Sequence, residues 1–317
     1  MEKRELNQKA SLVIDSLVHL RQPDERMTDE NKKQGRTGGI ISRDFGIDEW
    51  DWPQGVGLYG LKRWKEVTQD HTFDPFLKEW FEKNFNRGLP SENINTTAPF
   101  LTLMDVLDYW DSSQYEIACL ERADWLMKRL PRTENGLFQH VTSAIGDRSG
   151  VRLNDNEVWI DTIFMAVLFL NKMGQRYECK EWIEESRIQI EKHIQYLWNQ
   201  ENGLFYHGYS FKRKDHFGGI FWCRGNSWFT NGIMDYIECC GERIPQVLRR
   251  KLITVYLGQV ETLKKLQAPS GLWHTVLDDA ESYEEVSGSA AILAGILKGV
   301  RMGILDIQDY GPAFIEA

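Results

Sequence analysis

Along most of the chain, apolar side chains return every three or four positions with polar residues between them, the period of helices that turn one face to a core. This pattern predicts helices near 6–20, 53–67, 75–86, 97–110, 114–130, 159–173, 178–199, 224–240, 245–266 and 285–302, with a broken remnant after 306. Period-two alternation is confined to brief loop pieces, so strands are not expected to carry the fold. Several boundaries have a chemical cause. Asp74-Pro75 and Ile244-Pro245 put proline at a helix start, where the missing N–H loses no bond. Pro131 closes the segment QYEIACLERADWLMKRL, while Gly174 and Gly241 stand just past apolar runs, where a left-handed residue can end a helix.

An internal echo overlies this pattern: Gly136-Leu137-Phe138-Gln139-His140, Gly203-Leu204-Phe205-Tyr206-His207 and Gly271-Leu272-Trp273-His274, at offsets of 67 and 68 residues. A period of this length accommodates two long helices and a long loop, so the repeating unit is a helical hairpin. Each copy is followed within about 15 to 25 residues by a polar helix start: EVWIDT, FWCRGNSW and YEEVSGSA. Loops of this kind are expected at one end of a bundle, lining a shared cavity. Taken singly, each copy is equally a recurring turn; three at near-equal spacing favour a closed or curved array.

Composition adds little to the fold but limits the function. With 317 residues the chain can bury a large core, and a single catalytic domain over 1–317 is expected. Hydrophobic residues make up 42% and charged residues 27%, an ordinary globular balance, with aromatics at 12% suited either to packed helices or to a cleft that stacks on sugars. The 38 basic and 47 acidic residues give a net charge of −9, which excludes a nucleic-acid footprint and disfavours anionic lipid. Cys119, Cys179, Cys223, Cys239 and Cys240 form no CxxC pair, so free thiols in a reducing compartment are expected rather than a disulfide framework or a zinc ribbon. No run of about 18 apolar residues occurs, and a cytoplasmic location is expected.

Two segments concentrate candidate chemistry. In NDNEVWIDTIFMAVLFL, Asp161 sits among Trp159, Ile160, Ile163, Phe164 and Met165. Apolar surroundings raise a carboxyl pKa toward the range of a general acid, whereas the N-terminal end of a helix favours the carboxylate, and a plain N-cap remains an equal reading. Glu157, four residues earlier, is either its partner or solvated. In FWCRGNSWF, Arg224, Asn226 and Trp228 surround Gly225. A guanidinium fork suits a carboxylate and an indole offers a stacking face, although a helix start capped by Asn226 or Ser227 with Trp228 in the core explains the segment as well. His140 and His207 could donate to a substrate, or serve as loop structure. No metal-ligand spacing, Walker loop, GxGxxG turn or GxSxG elbow is present, so neither metal nor cofactor is expected.

Together WIDTIFMAVLFL, GLFYHG, FWCRGNSWF and GLWHTVLDDAESYEEVSGSAAILAGILKGV resemble glycoside hydrolase family 105, the unsaturated rhamnogalacturonyl hydrolases, over about residues 50–302. The resemblance implies an all-α, six-hairpin (α/α)6 barrel. It also implies an enzyme that hydrates the 4,5-unsaturated uronic acid ending oligosaccharides left by polysaccharide lyases, foremost galacturonyl-rhamnose from rhamnogalacturonan. By that resemblance Asp161 is the catalytic acid, and Trp52, Asn95, His140, His207, Arg224 and Trp228 bind substrate, with Arg224 on the uronate carboxylate. Departures are visible too. Where the family often places an assisting acid, ENINTTAPFLTL offers Asn93, Asn95 and, less well aligned, Glu92. The sequence ends at Ala317, about one hairpin short of six, so a barrel incomplete at its C-terminus is expected. The alternatives are the same chemistry on unsaturated glucuronyl sugars, an epimerase or endo-acting glycanase on a similar toroid, or a non-catalytic carbohydrate-binding toroid. The expected partner is an oligosaccharide, with no nucleic acid and no membrane; monomer and homo-oligomer are both open.

Overall fold

The computed structural model describes residues 3–20, 46–110, 112–144 and 147–316. The chain divides into two compact units, Met1–Arg122 with Val141–Arg152, and Ala123–His140 with Leu153–Ala317. Helices dominate both, and among the described residues none is long and apolar enough to cross a membrane.

The first unit contains α1 (Lys3–Val18), α2 (Trp52–Thr68), α3 (Asp74–Arg87), a 3-10 turn (Asn95–Thr97) leading into α4 (Phe100–Val106), most of α5 (Ser113–Lys128), and the antiparallel pair β1 (Thr142–Ala144) and β2 (Asp147–Arg152). Helix α2 starts where Asp51 accepts the Trp52 N–H and a proline occupies the first turn. The aromatic excess is here a core: Trp50 stacks on Trp80 at 5.2 Å and meets Phe81, Phe85 and Phe100 edge-on. The indole N–H groups of Trp50 and Trp80 are satisfied by the carbonyls of Thr96 and Ile47. Asn93 clamps the turn before α4 by accepting the Thr96 N–H at 3.0 Å and donating to the Ser143 hydroxyl at 3.2 Å.

The second unit contains β3 (Glu157–Trp159), a π-helical turn (Ile163–Val167) continuing as α6 (Leu168–Arg176), α7 (Lys180–Leu197), β4 (Gly208–Ser210), α8 (Cys223–Cys240), α9 (Gln246–Leu266), β5 (Trp273–His274), β6 (Glu284–Glu285), α10 (Val286–Arg301) and α11 (Ile307–Glu316). Strands β3 and β4 pair antiparallel, as do β5 and β6. Helices α8 and α10 pack at backbone distance: a Cβ added to Gly295 would lie 2.5 Å from the Thr230 carbonyl oxygen.

The three echoes close with the same pair of backbone bonds, the second turn being one residue longer than the other two. Thr133, Asn199 and Ala268 each donate their N–H to the following leucine's carbonyl (Leu137, Leu204, Leu272) and accept from Gly136, Gly203 or Gly271. All three glycines sit at positive φ (77°, 77° and 86°), where a side chain would be strained. The next residue's N–H is then captured by a side chain from a helix: Phe138 by Gln189, Phe205 by Asn226 and Trp273 by Ser289. The repeat is thus a turn together with its helix-borne anchor.

Most predicted helices are present, with physical reasons for the exceptions. The segment predicted as helix from 159 starts as strand β3 instead, because Glu157–Trp159 pairs with Gly208–Ser210. Gly174 does not end a helix; it lies inside α6, where a Cβ would come within 2.8 Å of Ile183 on α7. Gly241, at φ 54°, does cap α8, and Pro245 precedes α9 as its N-cap. The predicted helix 97–110 resolves into a 3-10 turn and the short α4.

Candidate active site

Strand β3 and the turn after it deliver Asp161, whose side chain is 13% exposed. The Ile160 N–H donates to the His207 carbonyl, so pairing of β3 with the segment around β4 brings the two loops together. Asp161 Oδ2 lies 3.4 Å from His207 Nδ1. Gly225 permits this approach: a Cβ there would stand 3.1 Å from His207 Nδ1. Burial pushes the Asp161 carboxyl above the ordinary carboxylate range, opposed by the positive potential of His207 and Arg224 and by the Trp228 indole. Burial pushes His207 the other way, toward neutral imidazole, with Asp161 opposing and Arg224 assisting. Burial thus moves both groups toward their uncharged forms, the direction that favours a carboxyl acting as proton donor.

Arg224, at the head of α8, lies 4.2 Å from the Trp222 ring. Its Nη1 donates at 3.0 Å to Glu285 and at 3.0 Å to the Ser287 hydroxyl, both from the β6–α10 corner. Trp228 is buried one helical turn further on and packs against Phe164, their ring centroids 5.4 Å apart. Trp222 meets His207 edge-on at 4.8 Å, and Trp159 lies tilted over His207 at 5.0 Å.

The candidate residues therefore separate. Asp161, His207, Arg224 and Trp228 converge within the second unit. His140 belongs to the same unit but is 1% exposed, stacked on Trp159 at 4.3 Å with Nδ1 2.9 Å from the Thr162 hydroxyl. It braces the residues on either side of the Ile160–Asp161 pair. Trp52, at the start of α2, and Asn95, buried at the first position of the 3-10 turn, belong to the first unit. Glu157 partners the Trp159 indole at 3.2 Å and Arg213 at 3.5 Å rather than Asp161. Neither Asn226 nor Ser227 acts as the N-cap of α8: Asn226 pins Phe205, and the Ser227 hydroxyl donates to the Arg224 carbonyl. Sequence reasoning passed over Trp222, Glu285 and Ser287. Trp222 stands two residues before Arg224 in a segment already singled out, whereas the link from YEEVSGSA to Arg224 spans 61 residues and carries no local signal. Among the described residues no group of three or more His, Cys, Asp or Glu side chains is arranged to hold a metal ion.

The profile described as Glycosyl Hydrolase Family 88 matches residues 25–317. The chain belongs to this family. It is 30% identical over 291 residues to the unsaturated rhamnogalacturonyl hydrolase YesR of Bacillus subtilis (strain 168), covering 91% of this chain and 82% of the relative. Crystal structures of possible family 105 members from Salmonella enterica serovar Paratyphi A and Klebsiella pneumoniae are each 34% identical. They superpose at TM-scores of 0.88 and 0.86, covering 100% of this chain and 80% of theirs. The resemblance to family 105 and the all-α, (α/α)6 fold class expected from it are borne out, and the chain is a glycoside hydrolase.

Proposed function

We propose that this hydrolase hydrates the 4,5-unsaturated uronic acid at the non-reducing end of lyase-generated oligosaccharides, with unsaturated galacturonyl-rhamnose from rhamnogalacturonan as its substrate. The observation that carries the reading is the Asp161 carboxyl, its pKa raised by burial, 3.4 Å from His207 and within the field of Arg224. The name of the Bacillus subtilis relative supports the substrate class.

Asp161 gives its proton to C4 of the enol ether, leaving positive charge at C5 that the ring oxygen shares. The resulting carboxylate takes a proton from water as the water oxygen bonds to C5, which returns Asp161 to its starting state. The C5 hemiketal then opens and releases the next sugar. No carboxylate pair brackets the anomeric carbon in this scheme, so a single donor suffices and the spacing rule for retaining and inverting enzymes does not apply. Arg224 takes the uronate carboxylate, and Trp228 and His207 bound the sugar ring. The substrate is the expected partner, with nucleic acid and membrane outside the reading. Five free cysteines support a reducing, cytoplasmic setting.

The unsaturated bond absorbs in the ultraviolet, so turnover of a lyase digest is read as loss of absorbance. Asp161→Asn is expected to lower kcat by at least about a hundredfold, the usual scale for a removed general acid. The same variant should not melt below the parent at neutral pH, because burial disfavours the ionised aspartate and the amide carries no such penalty. An Asp161→Asn protein that keeps parental kcat would reject the assignment. Unsaturated galacturonyl and glucuronyl disaccharides compared in the same assay rank the two epimers.

A further inference from the structure

The third turn repeat has no place in the chemistry above, yet it is built as carefully as the second. Trp273 pairs with Glu285 across β5 and β6, and the Trp273 N–H is held at 2.8 Å by Ser289, whose hydroxyl in turn donates to the Glu285 carbonyl. The backbone of Glu285 is thereby fixed from two directions. Its side chain, 7% exposed, is aimed at Arg224. Gly288 keeps the corner tight, because a Cβ there would come within 2.7 Å of Cys223 Sγ, Glu285 Oε2 and Arg224 N alike.

We infer that Glu285, together with Ser287, is the positioning residue of Arg224. Glu285 and Ser287 share Nη1 of the guanidinium, and Ser287 also donates to the Glu285 carboxylate, so the three groups form a closed set. With the Trp222 face 4.2 Å away, the guanidinium is restricted to one pose before any substrate arrives. The pair has a second effect. Arg224 acts on Asp161 in the direction of ionisation, which opposes a proton donor, and the negative charge of Glu285 offsets that field. Among the described residues, the charged groups acting on Asp161 include His207, from the loop after α7, and Arg224; the titratable groups acting on or felt by Arg224 include Glu285, Asp161, His207 and the Cys223 thiol, which also meets Glu285. One carboxylate thus orients the cation that binds the uronate and limits its effect on the acid that protonates it.

The inference rests on the proposed reaction, and its test is arranged so that the two fail differently. Steady-state decay of unsaturated uronyl disaccharide absorbance is followed against pH for the parent, Glu285→Gln, Glu285→Ala, Ser287→Ala and Arg224→Ala. Glu285→Gln keeps an acceptor for Nη1 but no charge, so its basic limb in kcat is expected to move to lower pH while KM changes less than about threefold. Glu285→Ala also loses the pose, and its KM should rise about tenfold or more, approaching that of Arg224→Ala; Ser287→Ala should raise KM by a smaller factor with the limb unmoved. Thermal melts separate these effects from unfolding, and the conservative Gln and Ser287→Ala variants carry the test if Glu285→Ala does not fold. Parental KM and pH profile in both Glu285 variants, with Arg224→Ala impaired, would overturn the positioning role alone. Absence of decay with the parent protein would overturn the reaction and the role together.

Discussion

Asn226→Ala removes the anchor of the second turn repeat, and its cost can be worked from the bonds it breaks. The side chain is completely buried. Its Oδ1 accepts the Phe205 N–H at 2.7 Å, and its Nδ2 donates to the Phe205 carbonyl at 2.9 Å and the Trp222 carbonyl at 3.1 Å. Gln259 reinforces the amide from α9, donating to Oδ1 at 3.2 Å and to the Asn226 carbonyl at 3.1 Å. After truncation the Trp222 carbonyl keeps the backbone N–H of residue 226 as a partner, so it is not orphaned. The Phe205 N–H and carbonyl lose their side-chain partner. At about 1–3 kcal/mol for each buried backbone group left unpaired, the substitution should cost about 2–6 kcal/mol, a large share of the roughly 5–15 kcal/mol that holds a domain folded. Urea unfolding followed by circular dichroism measures it as a lower midpoint at an unchanged slope. Because Phe205 lies two residues from His207, turnover of unsaturated substrate should fall as well, in molecules that remain folded. A loss below about 1 kcal/mol would show that the anchor is not what holds the turn.

Further outcomes follow from burial and close packing. His193 is buried in α7 with Nδ1 2.7 Å from the Gln189 carbonyl, and burial drives its pKa down from 6.5 to about 4. The unfolded chain therefore takes up the proton first. Stability should decline as pH falls from about 6.5 to 4, by about 3 kcal/mol in total, and His193→Phe should flatten that decline in urea midpoints measured across the range. Gly295→Ala places a Cβ against the Thr230 backbone and should destabilise by about 1–3 kcal/mol, whereas Gly60→Ala, on an exposed helical position with nothing within 4 Å, should stabilise by about 0.5–1 kcal/mol. Equal melting shifts for the two glycine variants would refute the close crossing of α8 and α10.

The sequence was informative wherever the cause of structure is local. Helix positions follow from a 3.6-residue period, the proline in the first turn of α3 from the demands of a helix start, and the three turns from glycines, which take positive φ without strain. The Asp161 and RGNSW segments were visible as well, since an acid inside an apolar run and a packed arginine, asparagine and tryptophan are unusual in composition. Gly174 was misread because an interior glycine and a capping glycine look alike until a second helix is placed beside one of them. Only the tertiary structure decided which of the three repeat histidines meets the acid. His140 turns to Thr162, His274 to the Ser282 carbonyl and His207 to Asp161, a choice made by the pairing of β3 with β4. It alone joined Glu285 to Arg224 across 61 residues. Backbone preference is written residue by residue and can be read from neighbours; the ionisation of a carboxyl depends on charges and solvent that reach it through space, and chain order does not encode those distances.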